Sequence, residues 1–312
     1  MRIIACLAAA VSLAACATQS IEDADEMARG ELPAAPKGWV VPIETPGAVA
    51  PGWIDRIGDP WLSELVRAAQ EKNQDLRIAA ANVERAKALL VQAGADRLPE
   101  ISISASADAL GNANASGTLT RSSFAGLAVV WELDVWGRIR AGRKATLASF
   151  ISAEEDLRFA QYSIAATTAQ TYFAAIEAQR QANVTAETLD ALEETDRIVR
   201  TRYEEGEATA EDTALSRADV EATRASLAVD LANARAARRA LELILADYPQ
   251  GAIRIDTDFP AVPPTPAAGA PAELLAQRPD VLSASRQVAA ASNFITQAQA
   301  ARLPSITING TY

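Results

Sequence analysis

The sequence predicts a mainly α fold with a transmembrane β part, in which long antiparallel helical hairpins are joined to a strand hairpin of membrane-crossing length. Three observations carry this expectation. Arg143–Glu205 runs for 63 residues without Gly or Pro, and its dominant residues, Ala, Glu, Arg, Leu and Gln, lose little side-chain entropy in a helix. After Pro99, and again after Pro304, the spacing of apolar residues changes from helical to alternating. Finally, the pattern around Arg97 is repeated around Arg302, an offset of 205 residues.

Composition narrows the functional classes. The chain has 312 residues, 49% hydrophobic and only 5% aromatic, so burial must come from Ala, Leu, Val and Ile, which suits closely packed helices. A formal charge of -11 opposes binding to nucleic-acid phosphates. Histidine is absent, which removes His-based triads, His metal sites and imidazole acid–base chemistry. No phosphate-binding Gly loop is present, the acidic residues are scattered as solvated helix faces, and neither a catalytic centre, a cofactor nor a metal site is expected.

Taken in order, Arg2 and the apolar run Ile3–Leu13 form a signal peptide over residues 1–15, too short to span as a helix. Leu13-Ala14-Ala15-Cys16 resembles the lipobox of bacterial lipoproteins, which makes Cys16 the lipidation site and removes Cys6 with the signal. A multiply acylated Cys16 would anchor stably where one chain would not. Ala17 is not the Asp that retains such lipoproteins in the inner membrane, so the outer membrane is favoured. Residues 16–52, broken by five prolines, read as an extended arm lying over another part of the molecule.

Residues 53–250 form the first structural repeat. Asp59-Pro60 opens a helix with Trp61, Leu62, Leu65 and Val66 on one side. A second helix is expected from Gln74 to Leu98, ended by Pro99. The β-hairpin, 100–134, alternates Ile101, Ile103, Ala105 and Ala107 with Ser102, Ser104, Ser106 and Asp108, and its second run puts Ala125, Leu127, Val129, Trp131 and Leu133 on one face. Gly111, Asn112, Asn114 and Gly117 make the loop between them. Both runs have the length of a transmembrane strand, and Trp131 and Trp136 stand where an interfacial aromatic girdle would lie. A soluble hairpin packed on a core is the competing reading.

The long helix, 138–205, carries a seam spaced by sevens, Phe150, Leu157, Ile164, Thr171, Ala178, Thr185, Leu192 and Val199, with Ala153, Ala160 and Ala174 beside it. Charges interrupt every window long enough to cross a bilayer. Gly206 and Thr209 reverse the chain into a return helix, 210–247. Together with Gln74–Leu98 that helix matches the long one in length, so two shorter helices can stack end to end beside it. A proline-rich connector, 251–271, leads into residues 272–312, where Arg302-Leu303-Pro304-Ser305-Ile306-Thr307-Ile308 repeats Arg97-Leu98-Pro99-Glu100-Ile101-Ser102-Ile103. Asn309-Gly310-Thr311 has the form of a glycosylation acceptor but reads as three small polar residues in a strand.

These features resemble the outer-membrane efflux protein family, the TolC-like channels, in its lipidated NodT-type branch. The matching stretches are Gly58-Asp59-Pro60-Trp61-Leu62, Asn73-Gln74-Asp75-Leu76 and Trp131-Glu132-Leu133-Asp134-Val135-Trp136-Gly137-Arg138. Further along come Arg202-Tyr203 with Gly206, Thr209 and Asp212, then Leu274-Leu275 with Arg278-Pro279-Asp280. The resemblance implies a homotrimer with a joint outer-membrane β-barrel and a periplasmic α-barrel. It would be the passive export duct for drugs or other small solutes in a tripartite efflux system, working with a periplasmic adaptor protein and an inner-membrane pump. The adaptor would meet the hairpin tip at Arg202, Tyr203, Gly206, Thr209 and Asp212, residues that could equally serve only to turn the chain. A type I protein-secretion exit duct and a structural coiled-coil lipoprotein without channel activity are the alternatives. Tyr312 corresponds to Ala107, inside the first strand of the second repeat, so roughly 140 further residues would complete that repeat. The expectation is a truncated product or partial sequence that does not conduct alone.

Overall fold

The structure is a computed structural model that describes residues 39, 52–111, 119–256, 258–264, 267 and 269–312. The expected signal peptide, Cys16, the arm apart from Trp39 and Gly52, and the loop residues Asn112–Gly117 lie outside the described residues. In chain order the elements are α1 (Trp53–Arg56), α2 (Pro60–Lys72), α3 (Gln74–Ala95), β1 (Glu100–Gly111), β2 (Leu119–Leu133), α4 (Arg138–Glu204), α5 (Ala210–Ile244), α6 (Pro271–Gln277), α7 (Pro279–Ala300) and β3 (Ile306–Thr311). They fall into two compact units. One is built from Lys37–Ala79 and Arg158–Leu274; the other contains Ala80–Leu157 and Leu275–Tyr312.

In the first, all-helical unit, Asp59 caps α2 by accepting from the Leu62 N–H at 3.0 Å, and Pro60 occupies the first turn, where its missing N–H costs nothing. Leu62, Leu65, Val66 and Ala69 then form one buried stripe against Ala165, Ala169, Tyr172 and Ile176 of α4 and Leu241 of α5. Full burial of side chains such as Leu62, Ile176 and Leu241 contributes about 1.5–3 kcal/mol each. The Tyr172 hydroxyl, carried into this core, donates to Asp59 Oδ2 at 3.0 Å, so the residue that starts α2 also satisfies the tyrosine. Trp39, the one described residue of the arm before Gly52, donates from its indole to the Gly269 carbonyl at 2.8 Å.

The α4 helix is 67 residues long, about 100 Å at 1.5 Å per residue. Its buried stripe in this unit runs Thr168, Ala175, Ala182, Leu189 and Asp196, and α5 answers with Val220, Leu227, Ala234 and Leu241, also spaced by sevens. The two helices are antiparallel, cross-linked by Asp196 with Ser216, Glu193 with Arg224, Thr185 with Asp230 and Gln179 with Arg238. Of the seam expected from sequence, Thr185 is buried and the other members, including Thr171, Ala178 and Leu192, are half-buried, while Ala174, expected beside it, is exposed. Several element ends also shift. The α3 helix stops at Ala95, because Pro99 disfavours helix before it, and α5 stops at Ile244, where a positive-φ Ala246 turns the chain. The connector ends at Ala270, since Pro271 opens α6.

In the second unit the start of α4 packs antiparallel on α7 through small residues. Ser152 and Ser283 share a hydrogen bond of 3.0 Å, and Gly142 faces Gln297 so closely that a Cβ would lie 2.7 Å from its amide nitrogen. The sheet has the order β1-β2-β3, antiparallel throughout. Register sets Ile101 opposite Val129 and Ile103 opposite Leu127, and on the other side Ile308 opposite Trp131 and Ile306 opposite Leu133. One continuous face is therefore apolar across three strands, while Ser102, Ser104 and Thr307 lie on the other. That apolar face is uncovered: Ile101 is 66% and Ile103 84% exposed. Among the described residues, no helix is long and apolar enough to cross a membrane.

Candidate functional site

Two places carry the residues singled out from sequence. At the tip of the α4–α5 hairpin, the Gly206 N–H donates to the Tyr203 carbonyl at 3.0 Å and the Glu207 N–H to the Arg202 carbonyl at 2.7 Å. This double closure needs a left-handed residue, and Gly206 supplies φ 81 with no heavy atom within 4 Å of where a Cβ would be. Thr209 then caps α5. Its hydroxyl accepts from the Asp212 N–H at 3.1 Å and donates to the Asp212 carboxylate at 2.7 Å, which also takes the Thr209 N–H at 2.9 Å. The Thr209 hydroxyl, followed by its N–H, holds the Asp212 carboxyl below its ordinary value. Arg202, Tyr203, Gly206, Thr209 and Asp212 are thus brought into one exposed turn, with Tyr203 47% exposed.

Farther along the hairpin lies a groove of about 660 Å³ between α4 and α5, lined by Glu193, Asp196, Arg200, Arg217 and Arg224 among others. Asp196 accepts from the Ser216 hydroxyl at 2.7 Å and from Arg200, and these two partners, in that order, lower its pKa. Arg224 bridges Glu193 and Glu221, each at 2.7 Å. Sequence reasoning missed this polar seam, because scattered acids on a helix look like a solvated face. The available signal was Asp196, seven residues after Leu189 in a stripe of Thr168, Ala175 and Ala182.

The second place is the strand–helix junction. Asp134, just past β2, accepts from the N–H groups of Ile139 and Arg140 at 3.0 and 2.9 Å and so caps α4, while Gly137 at φ 78 makes the turn. Glu132 and Arg138 form a two-pronged pair at 3.1 and 2.6 Å. The Trp131 indole donates to the Arg97 carbonyl at 3.1 Å and the Trp136 indole to the Pro304 carbonyl at 2.9 Å. Both rings keep exposed faces. Among the described residues no group of three or more His, Cys, Asp or Glu side chains could hold a metal ion. The junction offers hydrogen bonds, charge and indole rings for recognition.

Comparison with known proteins places this geometry. The family model for outer membrane efflux protein matches residues 65–247. The chain is 30% identical over 262 residues to the probable outer membrane lipoprotein SilC of Salmonella typhimurium, covering 82% of this chain and 56% of that protein. It is 31% identical over 270 residues to the pyoverdine export outer membrane protein OpmQ of Pseudomonas aeruginosa, covering 83% and 57%. Among solved structures, the outer-membrane channel OprN superposes with a TM-score of 0.75 at 28% identity, over 86% of this chain and 62% of that one. The chain spans little more than half the length of the relatives it matches. With the match to the family model running through α2, β1, β2, α4 and α5, the chain belongs to the outer membrane efflux protein family.

Proposed function

We propose that this chain is the channel component of a tripartite efflux system, a passive duct that carries drugs or other small solutes outward. It is an outer membrane protein, and in this reading it works as a homotrimer held additionally by acyl chains on Cys16. A periplasmic adaptor docks on the tip formed by Arg202, Tyr203, Gly206, Thr209 and Asp212, and an inner-membrane pump supplies the energy. The observation that carries the reading is the uncovered apolar face running across β1, β2 and β3. Such a face suits a bilayer, where closed sheets satisfy every backbone group. Relatives named for efflux and export support the same reading.

The test is a strain lacking the protein, complemented with the whole gene, as wild type or with Gly206→Pro. Wild type is expected to restore export of a fluorescent pump substrate and to migrate heat-modifiably in outer-membrane fractions. Gly206→Pro should reach the outer membrane yet fail to restore export, since proline cannot adopt φ 81. Unchanged export with that variant overturns the role of the tip, and a wild-type protein found only in soluble fractions overturns the duct.

A further inference from the structure

We propose that the strand–helix junction binds the phosphate headgroups of an anionic phospholipid leaflet through Arg97 and Arg302, beside the indoles of Trp131 and Trp136. This rests on the reading of the sheet as membrane-embedded.

The apolar face of the sheet ends at Trp131, Leu133 and Ile306. Beyond that line the chain turns polar in both repeats, through Asp96–Pro99 before β1 and Ala301–Ser305 before β3. Each indole donates to a carbonyl of one of these turns, Arg97 for Trp131 and Pro304 for Trp136. The two turns are copies of each other, so the duplication sets one arginine in each: Arg97, whose own carbonyl takes the Trp131 indole, and Arg302, two residues before the carbonyl that takes the Trp136 indole. Both arginines are exposed, and neither guanidinium has an ion pair or hydrogen bond among the described residues. Of the other arginines nearby, Arg138 is held by Glu132 and Arg140 by Asp134, and Arg143 is half-buried. Asp96 and Glu100 are the exposed acids closest in sequence to Arg97, and neither engages it.

Charge complementarity selects the occupant. A chain with a formal charge of -11 leaves these two exposed, unpaired arginines in the turns where its apolar face gives way to polar residues, the depth at which phosphates sit. A guanidinium fork matches phosphate oxygens in two-pronged geometry. Attraction to an anionic surface is worth roughly fivefold in affinity per cation, so both together give about twenty-fivefold.

The test uses protein extracted from outer membranes, as wild type, R97Q/R302Q and R97K/R302K. Retention of phosphatidylglycerol and phosphatidylcholine is measured by native mass spectrometry and by the melting midpoint in detergent. Wild type should retain phosphatidylglycerol preferentially and melt higher with it. R97Q/R302Q should lose about twenty-fivefold in that retention while keeping heat-modifiable migration. R97K/R302K should keep most of it. Equal phosphatidylglycerol retention by wild type and R97Q/R302Q overturns the proposal, as does displacement of the lipid by inorganic phosphate, which would mark a site for free anions. Failure of all three forms to reach the outer membrane would instead overturn the membrane reading of the sheet.

Discussion

Glu242 is 5% exposed, and its carboxylate accepts the N–H groups of Gly251, Ala252 and Ile253 at 2.6, 2.7 and 2.9 Å. Burial pushes its pKa up, but those three donors outweigh burial and hold it below the ordinary 4.5. A group depressed in the folded state stabilises fully above its unfolded value and loses that contribution as pH falls through the folded one. Glu242→Gln is therefore expected to cost about 1.5–3 kcal/mol near neutral pH. It should also flatten the decline in thermal stability below about pH 4.5, read by circular dichroism. A mutant whose acid profile parallels wild type would contradict this. Ala246, four residues on, sits at φ 57 in the turn that ends α5. Ala246→Gly should relieve about 1 kcal/mol of left-handed strain and raise the melting midpoint. Neither residue was marked in the sequence. A lone Glu near the end of a helix looks solvated until the chain after Pro249 is seen to fold back over it.

At the scale of elements, the α4–α5 hairpin combines a strict turn with a seam of small and polar side chains. Gly206→Ala introduces no steric contact, so its expected cost, about 1–2 kcal/mol, is purely that of the backbone angle; Gly206→Asn should cost less. Asp212→Asn should weaken the cap by about 0.5–1 kcal/mol. Thr185→Val removes the hydroxyl that donates to Asp230 at 2.7 Å and should destabilise the hairpin by about 1 kcal/mol, measured by hydrogen exchange in α5. The existence of both helices, their turn and the Thr209 cap were legible, because Gly, Thr and uninterrupted helix formers have direct backbone consequences. The more deeply buried stripe was not. Thr168, Ala175, Ala182 and Asp196 carry no hydropathy signal, and their burial comes from how closely small residues let α5 approach.

For the molecule as a whole, the strands test the membrane reading. Ile103 lies on the uncovered face and Ser104 on the opposite one, so Ile103→Lys should cost about 2–4 kcal/mol if that face meets lipid and reduce the heat-modifiable form. Ser104→Lys should leave that form intact. Equal tolerance of both would remove the bilayer from the account. The strands, their alternation and the duplication could be read from residues alone, since period two and the repeated Arg-Leu-Pro turn survive in sequence. The pairing of β3 with the free edge of β2 could not, because strand neighbours depend on chain segments far apart.

That pairing holds one more consequence. Ile101 and Ile306 are copies, yet the first faces Val129 and the second Leu133. Each passage from one copy to the next slides the sheet four residues along its own strands. A wall closed from such copies must slant, and slanted strands need extra residues to cover the same height. The 15 residues of β2 extend about 50 Å at 3.4 Å apiece. Leaning at about 45° they rise roughly 35 Å, close to the thickness of a hydrocarbon layer with its margins.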